Sequence, residues 1–360
     1  MSEKISTNRT VSPNEAKRAI RKCIKINRPL FMWGPPGIGK SDIVKQIGEE
    51  QGRPVIDVRL SLWEPTDIKG IPYYNAAYNT MCWAPPAELP TDPDSNAILF
   101  LDELNSAPPA TQAAAFQLVL NRRVGTYVLP PNVSIVAAGN RETDKGVTFR
   151  MPAPLANRFV HLELRSDFDD FHTWAVQNHL HHQVIGYLNF AKQDLSDFDP
   201  KSASRSFATP RSWSFVSELL KDDDLDEQTL TDLISGAVGD GLAVKFMAHR
   251  KVAKQMPDPQ DVLQGKVAKC SIKEVSAMYS LSVSLCYELQ EADRKKSKDW
   301  DKMADNFFRF MMDNFPTELT VMGAKLALTN YNLPFDASKL KNFDEFHNKF
   351  GKFIITAMEG

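Results

Sequence analysis

The first half of the chain alternates short apolar runs with stretches of helical spacing. "PLFMW" (Pro29 to Trp33), "PVIDVRL" (Pro54 to Leu60), "AILFLDE" (Ala97 to Glu103), "VSIVAAGN" (Val133 to Asn140) and "FVHLEL" (Phe159 to Leu164) have the length and composition of buried strands. Helical patterns follow from Ser41, from Ser106 and from about Asp169. This alternation predicts an α/β fold, a parallel sheet covered by helices on both faces. After about Ser166 the strand signals fade. "DDFHTWAVQNHL", "HQVIGYLNFAK", "RSWSFVSELL" and "TLTDLISGAVGDGLAVKFMAHRKVAKQ" all carry helical spacing, and beyond Pro257 so do "KEVSAMYSLSVSLCYELQEA" and "DNFFRFMMDNF". The expected organisation is an α/β core over residues 1–165, a helical segment over 166–256 and a further helical region over 257–360. The chain shows no internal repeat and no low-complexity tract.

The link between the first strand and its helix changes the picture. It reads Gly34-Pro35-Pro36-Gly37-Ile38-Gly39-Lys40-Ser41, the spacing G-x-x-x-x-G-K-S. Glycines at 34, 37 and 39 let the backbone turn tightly and aim N–H groups inward, and the helix that follows adds its positive end. The product is a nest for a polyphosphate. Lys40 is placed to reach the β- and γ-phosphates, and Ser41 to offer a hydroxyl to Mg²⁺. A plain Gly/Pro turn before a helix does not need Lys-Ser where the helix begins.

Two more strand ends carry matching chemistry. "ILFLDELN" finishes a buried run with Asp102 and Glu103. Asp102 is expected to hold Mg²⁺, usually through water, and Glu103 to orient or deprotonate an attacking water. An acidic strand end facing solvent is common, so this signal gains its weight from the phosphate loop upstream. "SIVAAGNRE" ends a third strand at Asn140, whose amide is suited to position the same water; in isolation, an Asn there is an ordinary turn residue. Arg158 in "APLANRFVHLEL" and Arg211 in "FATPRSWSFV" are candidate charge donors for phosphoryl transfer, although a single arginine is more often a surface ion-pair residue.

Composition narrows the classes. With 360 residues the chain is long enough for two or three domains. The net charge of -2 and pI of 6.4 provide no broad basic field for nucleic acid or an anionic membrane. No apolar run is long enough to span a bilayer, and the N-terminal stretch lacks the apolar core of a secretory signal. Cys23, Cys82, Cys270 and Cys286 form no C-x-x-C pair, which fits reduced thiols in a cytoplasmic setting. "HTWAVQNHLHH" places His179 and His182 at a spacing that fits metal ligation if both lie on a helix. No neighbouring Cys or paired carboxylate supports such a site, and a solvated polar helix face is expected. "KDDDLDE" (Lys221 to Glu227) reads as an acidic loop, "FFRFMMDNF" as core or subunit interface, and "ADRKKSKDWDK" as an exposed connection.

The ordered set GPPGIGKS, ILFLDELN, AAGN, ANRF and TPRSW resembles the AAA+ superfamily and, more narrowly, the MoxR-type ATPases. "EPTDIKGIP" (Glu64 to Pro72) is similar to the family's segment after the second strand. "ELNSAPPATQAAAFQLVLNRRVGTYVLPPN" is similar to its second helix with an inserted β-hairpin; there Ser106 is a candidate helix cap and Pro108-Pro109 suit the incoming turn. The resemblance runs from Val11 to about Lys254. It implies an AAA+ P-loop core with a parallel sheet, followed by an all-α lid and an extra C-terminal helical region. It also implies Mg²⁺-dependent hydrolysis of ATP to ADP and phosphate. Gly34 to Ser41 then form Walker A, Asp102 and Glu103 Walker B, and Asn140 sensor 1. Arg158 takes the part of the arginine finger that reaches a neighbouring subunit's ATP, with Arg141 and Arg150 as alternatives, and Arg211 that of sensor 2. Such proteins work as homo-oligomeric rings, usually hexamers. They often pair with proteins carrying a von Willebrand factor A domain and act as chaperones on a protein client. The competing expectation is a nucleic-acid motor or loader of the same superfamily, against which the missing basic stripe counts. A third alternative, a nucleotide-dependent scaffold with negligible turnover, fits poorly with both Glu103 and Asn140 in place. Candidate pore-facing loops are the segment between Lys69 and Cys82 and the hairpin around Arg122 to Tyr127.

Overall fold

The computed structural model describes residues 9–144, 148–202, 204–221, 225–271 and 273–358. Its first half runs β1 (Thr10–Val11), α1 (Pro13–Lys25), β2 (Leu30–Trp33), α2 (Lys40–Gln51), β3 (Val55–Arg59), α3 (Pro65–Lys69), β4 (Ile71–Asn75), β5 (Thr80–Ala84), β6 (Ile98–Asp102), α4 (Pro109–Asn121), β7 (Arg123–Val124), β8 (Tyr127–Val128), β9 (Ser134–Gly139), α5 (Ala153–Ala156) and β10 (Val160–Leu164). Six strands form one parallel sheet in the order β1-β10-β2-β9-β6-β3. The five strands expected from the sequence are all in it. The two-residue β1 is added at the edge, where it is too short to leave a periodic signal.

The sheet is parallel because its central strands are buried on both sides. β6 and β9 are buried at every residue, as continuous apolar runs require. Successive side chains alternate between two cores. Phe31, Leu99, Leu101, Ile135 and Ala137 pack with Ala114, Ala115 and Leu118 of α4 on one face. Leu30, Met32, Ile98, Phe100, Val136 and Ala138 pack with Ile20 of α1 and with Ile43, Val44 and Ile47 of α2 on the other. α1 starts at a capping box in which Ser12 and Glu15 satisfy each other's backbone donors.

Two small antiparallel hairpins, β4–β5 and β7–β8, stand outside this sheet. β7–β8 is the hairpin expected after the second helix, whereas β4–β5 replaces what the sequence suggested was a loop. The proposed cap by Ser106 is not formed. Ser106 lies inside a tight turn (Leu104–Ser106) and donates its N–H to the Glu103 carbonyl, while Pro108 is the residue that precedes α4. Pro109 at the first helical position has no N–H to satisfy, so the helix starts without a side-chain cap.

The chain divides into two compact units, the first ending at Asp167 and also taking in a short segment from Phe198. The second is helical: α6 (Phe168–Gln177), α7 (His182–Phe190), α8 (Pro210–Leu219), α9 (Glu227–Val238), α10 (Asp240–Ala253), α11 (Pro259–Leu263), α12 (Val275–Arg294), α13 (Trp300–Asn314), α14 (Thr317–Lys325) and α15 (Lys341–Met358). Helices from both sides of Pro257 share one core that includes Trp213, Phe246, Phe307, Phe308 and Phe346. Small residues allow the close contact of α7 with α12: a Cβ at Gly186 would sit 2.9 Å from the Ser280 Cα. Ser282 and Ser284 are buried in α12, and their hydroxyls donate to the carbonyls of Met278 and Ser280. The stretch "TLTDLISGAVGDGLAVKFMAHRKVAKQ" is helical on both sides of Gly239, whose φ of 89° ends α9 and starts α10.

The expected solvated histidine face is not found. His179 sits in a left-handed turn with φ 55°, before α7 begins at His182, so the two share no helix face. His172 is buried, and burial lowers its pKa to about 4; burial also lowers His181 to about 3 and His182 to about 4. No group of three or more metal-ligating side chains occurs among the described residues. Asp222, Asp223 and Asp224 of the acidic stretch lie outside the described residues, and Asp226 caps α9.

Trp213 is fully buried and its indole N–H donates to the Asp194 carbonyl at 2.9 Å. Trp213→Ala is expected to destabilise the second unit by about 3–5 kcal/mol, read as a lower urea midpoint, with the signals of the first unit unchanged.

Candidate functional site

The register of the central strands brings the predicted residues to one edge. Trp33 pairs with Gly139 and Arg59 with Asp102, so the carboxyl ends of β2, β9, β6 and β3 lie side by side. Open parallel sheets bind ligands in the crevice beyond such ends.

The loop from Gly34 to Gly39 joins β2 to α2. Gly37 has φ 73° and Gly39 φ 94°, conformations that side chains rarely adopt. A Cβ at Gly39 would meet nothing within 4 Å. The loop therefore opens onto space beside the first turn of α2, where the N–H groups of a helix start and the helix dipole favour an anion. The Lys40 ammonium donates to the carbonyls of Gly34 (2.7 Å) and Pro35 (3.0 Å) and to Asn140 Oδ1 (3.0 Å). It ties the phosphate loop to the end of β9.

Ser41 Oγ donates to Asp102 Oδ2 at 2.9 Å, and the Glu103 N–H donates to Asp102 Oδ1 at 2.8 Å. Asp102 is buried, 6% exposed, with both oxygens engaged. Ser41 and Asp102 make a pair of hard oxygen donors next to the phosphate nest. That set fits Mg²⁺, which keeps several waters and is held by one or two protein oxygens plus substrate phosphates.

Glu103 is held in a left-handed backbone conformation, φ 54°, uncommon for a residue with a side chain. One carboxylate oxygen accepts from the Ser61 hydroxyl, and the other lies 3.8 Å from Arg59 Nε. Ser61 and Arg59 were not singled out in the sequence; their only signal is their place at and just after the end of a strand that registers beside Asp102.

Asn105 is a third missed residue, although it lies within "DELN". It is 1% exposed and donates from Nδ2 to the Asn140 carbonyl at 2.7 Å. Gly139 makes room for it: a Cβ there would fall 2.0 Å from Asn105 Oδ1 and 2.8 Å from Phe31 Cζ.

The arginines differ. Arg141 donates to Asp144 and Glu163, and hydrogen bonding to Asp144 above all, with Glu163 adding to it, raises its pKa. Arg150 and Arg158 are exposed in the same unit, Arg158 in the turn between α5 and β10. Arg211 is exposed in the first turn of α8, in the second unit, where Thr209 and Ser212 form a capping box around Pro210.

Residues 29–159 match the family described as AAA domain (dynein-related subfamily). The matched segment runs from β2 to the end of α5 and holds the loop from Gly34 to Gly39 and the ends of β6 and β9. Midasin of Giardia intestinalis is 26% identical over 185 residues, which are 49% of this chain and 4% of that protein. The chain thus spans a small fraction of that relative's length. Among solved structures, NtrX from Brucella abortus is 16% identical with a TM-score of 0.39, covering 89% of this chain and 69% of that one. A point mutant of RuvB from Thermotoga maritima is 15% identical with a TM-score of 0.38, covering 84% and 88%.

Gly139→Ala is expected to cost about 1–3 kcal/mol by overpacking against Asn105 and Phe31. A melting temperature equal to the parent's would show that Asn105 does not sit against the end of β9.

Proposed function

We propose that the chain is an ATPase of a ring-forming kind that remodels or matures a protein partner, in the manner of MoxR-type proteins. The observation that carries this reading is the convergence of three strand ends, with Lys40 bonded to Asn140 and Ser41 bonded to Asp102. The AAA domain match over residues 29–159 supports it independently.

In this reading ATP lies along Gly34 to Ser41, its phosphates taken by backbone N–H groups and by Lys40. Ser41 and Asp102 would hold Mg²⁺, which supplies charge neutralisation on the phosphates. Water attacks the γ-phosphorus while the bond to the β–γ bridging oxygen breaks, giving ADP and phosphate. Glu103 takes the proton of that water, and Asn140 fixes the water's position. Arg158 of a neighbouring subunit and Arg211 of a lid over residues 166–256 offset the developing charge. A finger that completes the next subunit's site makes a head-to-tail contact, and closure of such contacts gives a ring, with a hexamer the expected size. An adaptor with a von Willebrand factor A domain is the partner class that the MoxR likeness suggests.

Client contact is assigned to the β4–β5 and β7–β8 hairpins. β4–β5 exposes Ile71, Tyr73, Tyr74 and Met81, an apolar surface of the kind that marks a contact site rather than a solvated loop. No helix among the described residues is long and apolar enough to cross a membrane.

Glu103→Gln is expected to keep ATP affinity within about twofold and to cut turnover by roughly 10²–10⁴-fold, measured by nucleotide titration and phosphate release. Turnover at the parent rate would remove Glu103 from its role as base. Arg158→Ala is expected to abolish turnover with binding intact. In mixed rings with Lys40→Ala subunits a fraction of the activity should return, since each variant supplies what the other lacks. Rings that assemble from both variants and stay inactive would contradict a role in trans.

A further inference from the structure

The cluster around Asn105 has a feature that packing alone does not explain. Asn105 Oδ1 is buried and has no hydrogen-bond partner among the described residues. Such groups are rare in folded chains, and each calls for an explanation. That other end, Nδ2, donates to the Asn140 main-chain carbonyl at 2.7 Å. The Asn140 side chain in turn accepts from Lys40 at 3.0 Å. The Asn105 main chain has a third link: its carbonyl accepts the Phe149 N–H at 2.7 Å, at the start of the stretch that carries Arg150 and leads through α5 to Arg158.

We propose that Asn105 is a positioning residue that acts through Asn140. Two residues beyond Glu103, it fastens the turn after β6 to the end of β9 and holds the Asn140 carboxamide at Lys40. Through Phe149 it also joins the arginine-bearing stretch to the same strand ends. This rests on the ATPase reading above. The turn Leu104–Ser106, which follows Glu103 directly, carries the side chain that bonds to Asn140. Gly139 is the residue that lets the carboxamide reach in, because a Cβ there would fall 2.0 Å from Oδ1.

The test compares the parent with Asn105→Ala, Asn140→Ala and the double variant, measuring Kd for a fluorescent ATP analogue, kcat for ATP and melting temperature. Asn105→Ala should lower kcat on the order of tenfold, as for side chains coupled through one hydrogen-bond network. Its Kd should change much less than its kcat. The double variant should match Asn140→Ala in kcat, because the first change acts only through the second. Additive losses in kcat, or a loss that follows melting temperature alone, would overturn the proposal. If the parent binds the analogue but shows no turnover, the ATPase reading fails. The same cycle is then read in Kd, where additivity again overturns the proposal and non-additivity supports it. A parent that binds no nucleotide overturns both.

Discussion

The site depends on the register of four parallel strands. Because Trp33 stands opposite Gly139, and Arg59 opposite Asp102, the chain leaves the sheet from neighbouring points on one edge. The polar groups of the site cluster within a few residues of such points. A shift of one residue in any of these strands would exchange its two faces, putting Phe31 or Leu99 where Leu30 or Ile98 now packs. The two apolar cores therefore fix the polar geometry. They supply the rigidity that lets Lys40 and Asn140 face each other although they stand 100 positions apart in the chain.

Several local irregularities fall among the residues of the candidate site. Glu103 takes a left-handed conformation, and its carboxylate is engaged by Ser61 and Arg59. Asn105 leaves a buried oxygen without a partner among the described residues. Gly37 and Gly39 have positive φ. These features would be eliminated by a sequence selected only for stability, and the surrounding buried strands hold them in place. Glu103 in this arrangement is occupied by its own chain. The proposed role of Glu103 as base would require it to part from Ser61.

Much of the first unit was legible because its strands are continuous apolar runs closed by polar residues. The expected Ala97 to Glu103 contains the observed Ile98–Asp102, and Val133 to Asn140 contains Ser134–Gly139. The phosphate loop was legible because lysine and serine at a helix start serve no packing purpose. The partners of Glu103 were not, since they depend on which strand lies beside β6, a long-range fact that local pattern does not encode. The β4–β5 hairpin was missed because both its faces are largely exposed, so "IPYYN" shows no alternation. Ser106 misled because serine favours caps, while the following prolines already relieve the need for one. The histidines misled because polar residues were expected in water; His172 instead sits in the core of the second unit with Asn330 as its hydrogen-bond partner. There a helical pattern reveals which face is apolar but not which helix covers it, and the packing of α7 on α12 emerged only from the fold.

The most direct measurement is a structure of the chain with Mg²⁺ and a non-hydrolysable ATP analogue. The triphosphate is expected along Gly34 to Ser41, with Lys40 Nζ on its β- and γ-oxygens and Asn140 facing the γ-phosphate. The cation is expected between Ser41 and the carboxylate of Asp102. An analogue bound elsewhere, or Lys40 and Asn140 still bonded to each other with no phosphate between the loop and β9, would contradict this arrangement.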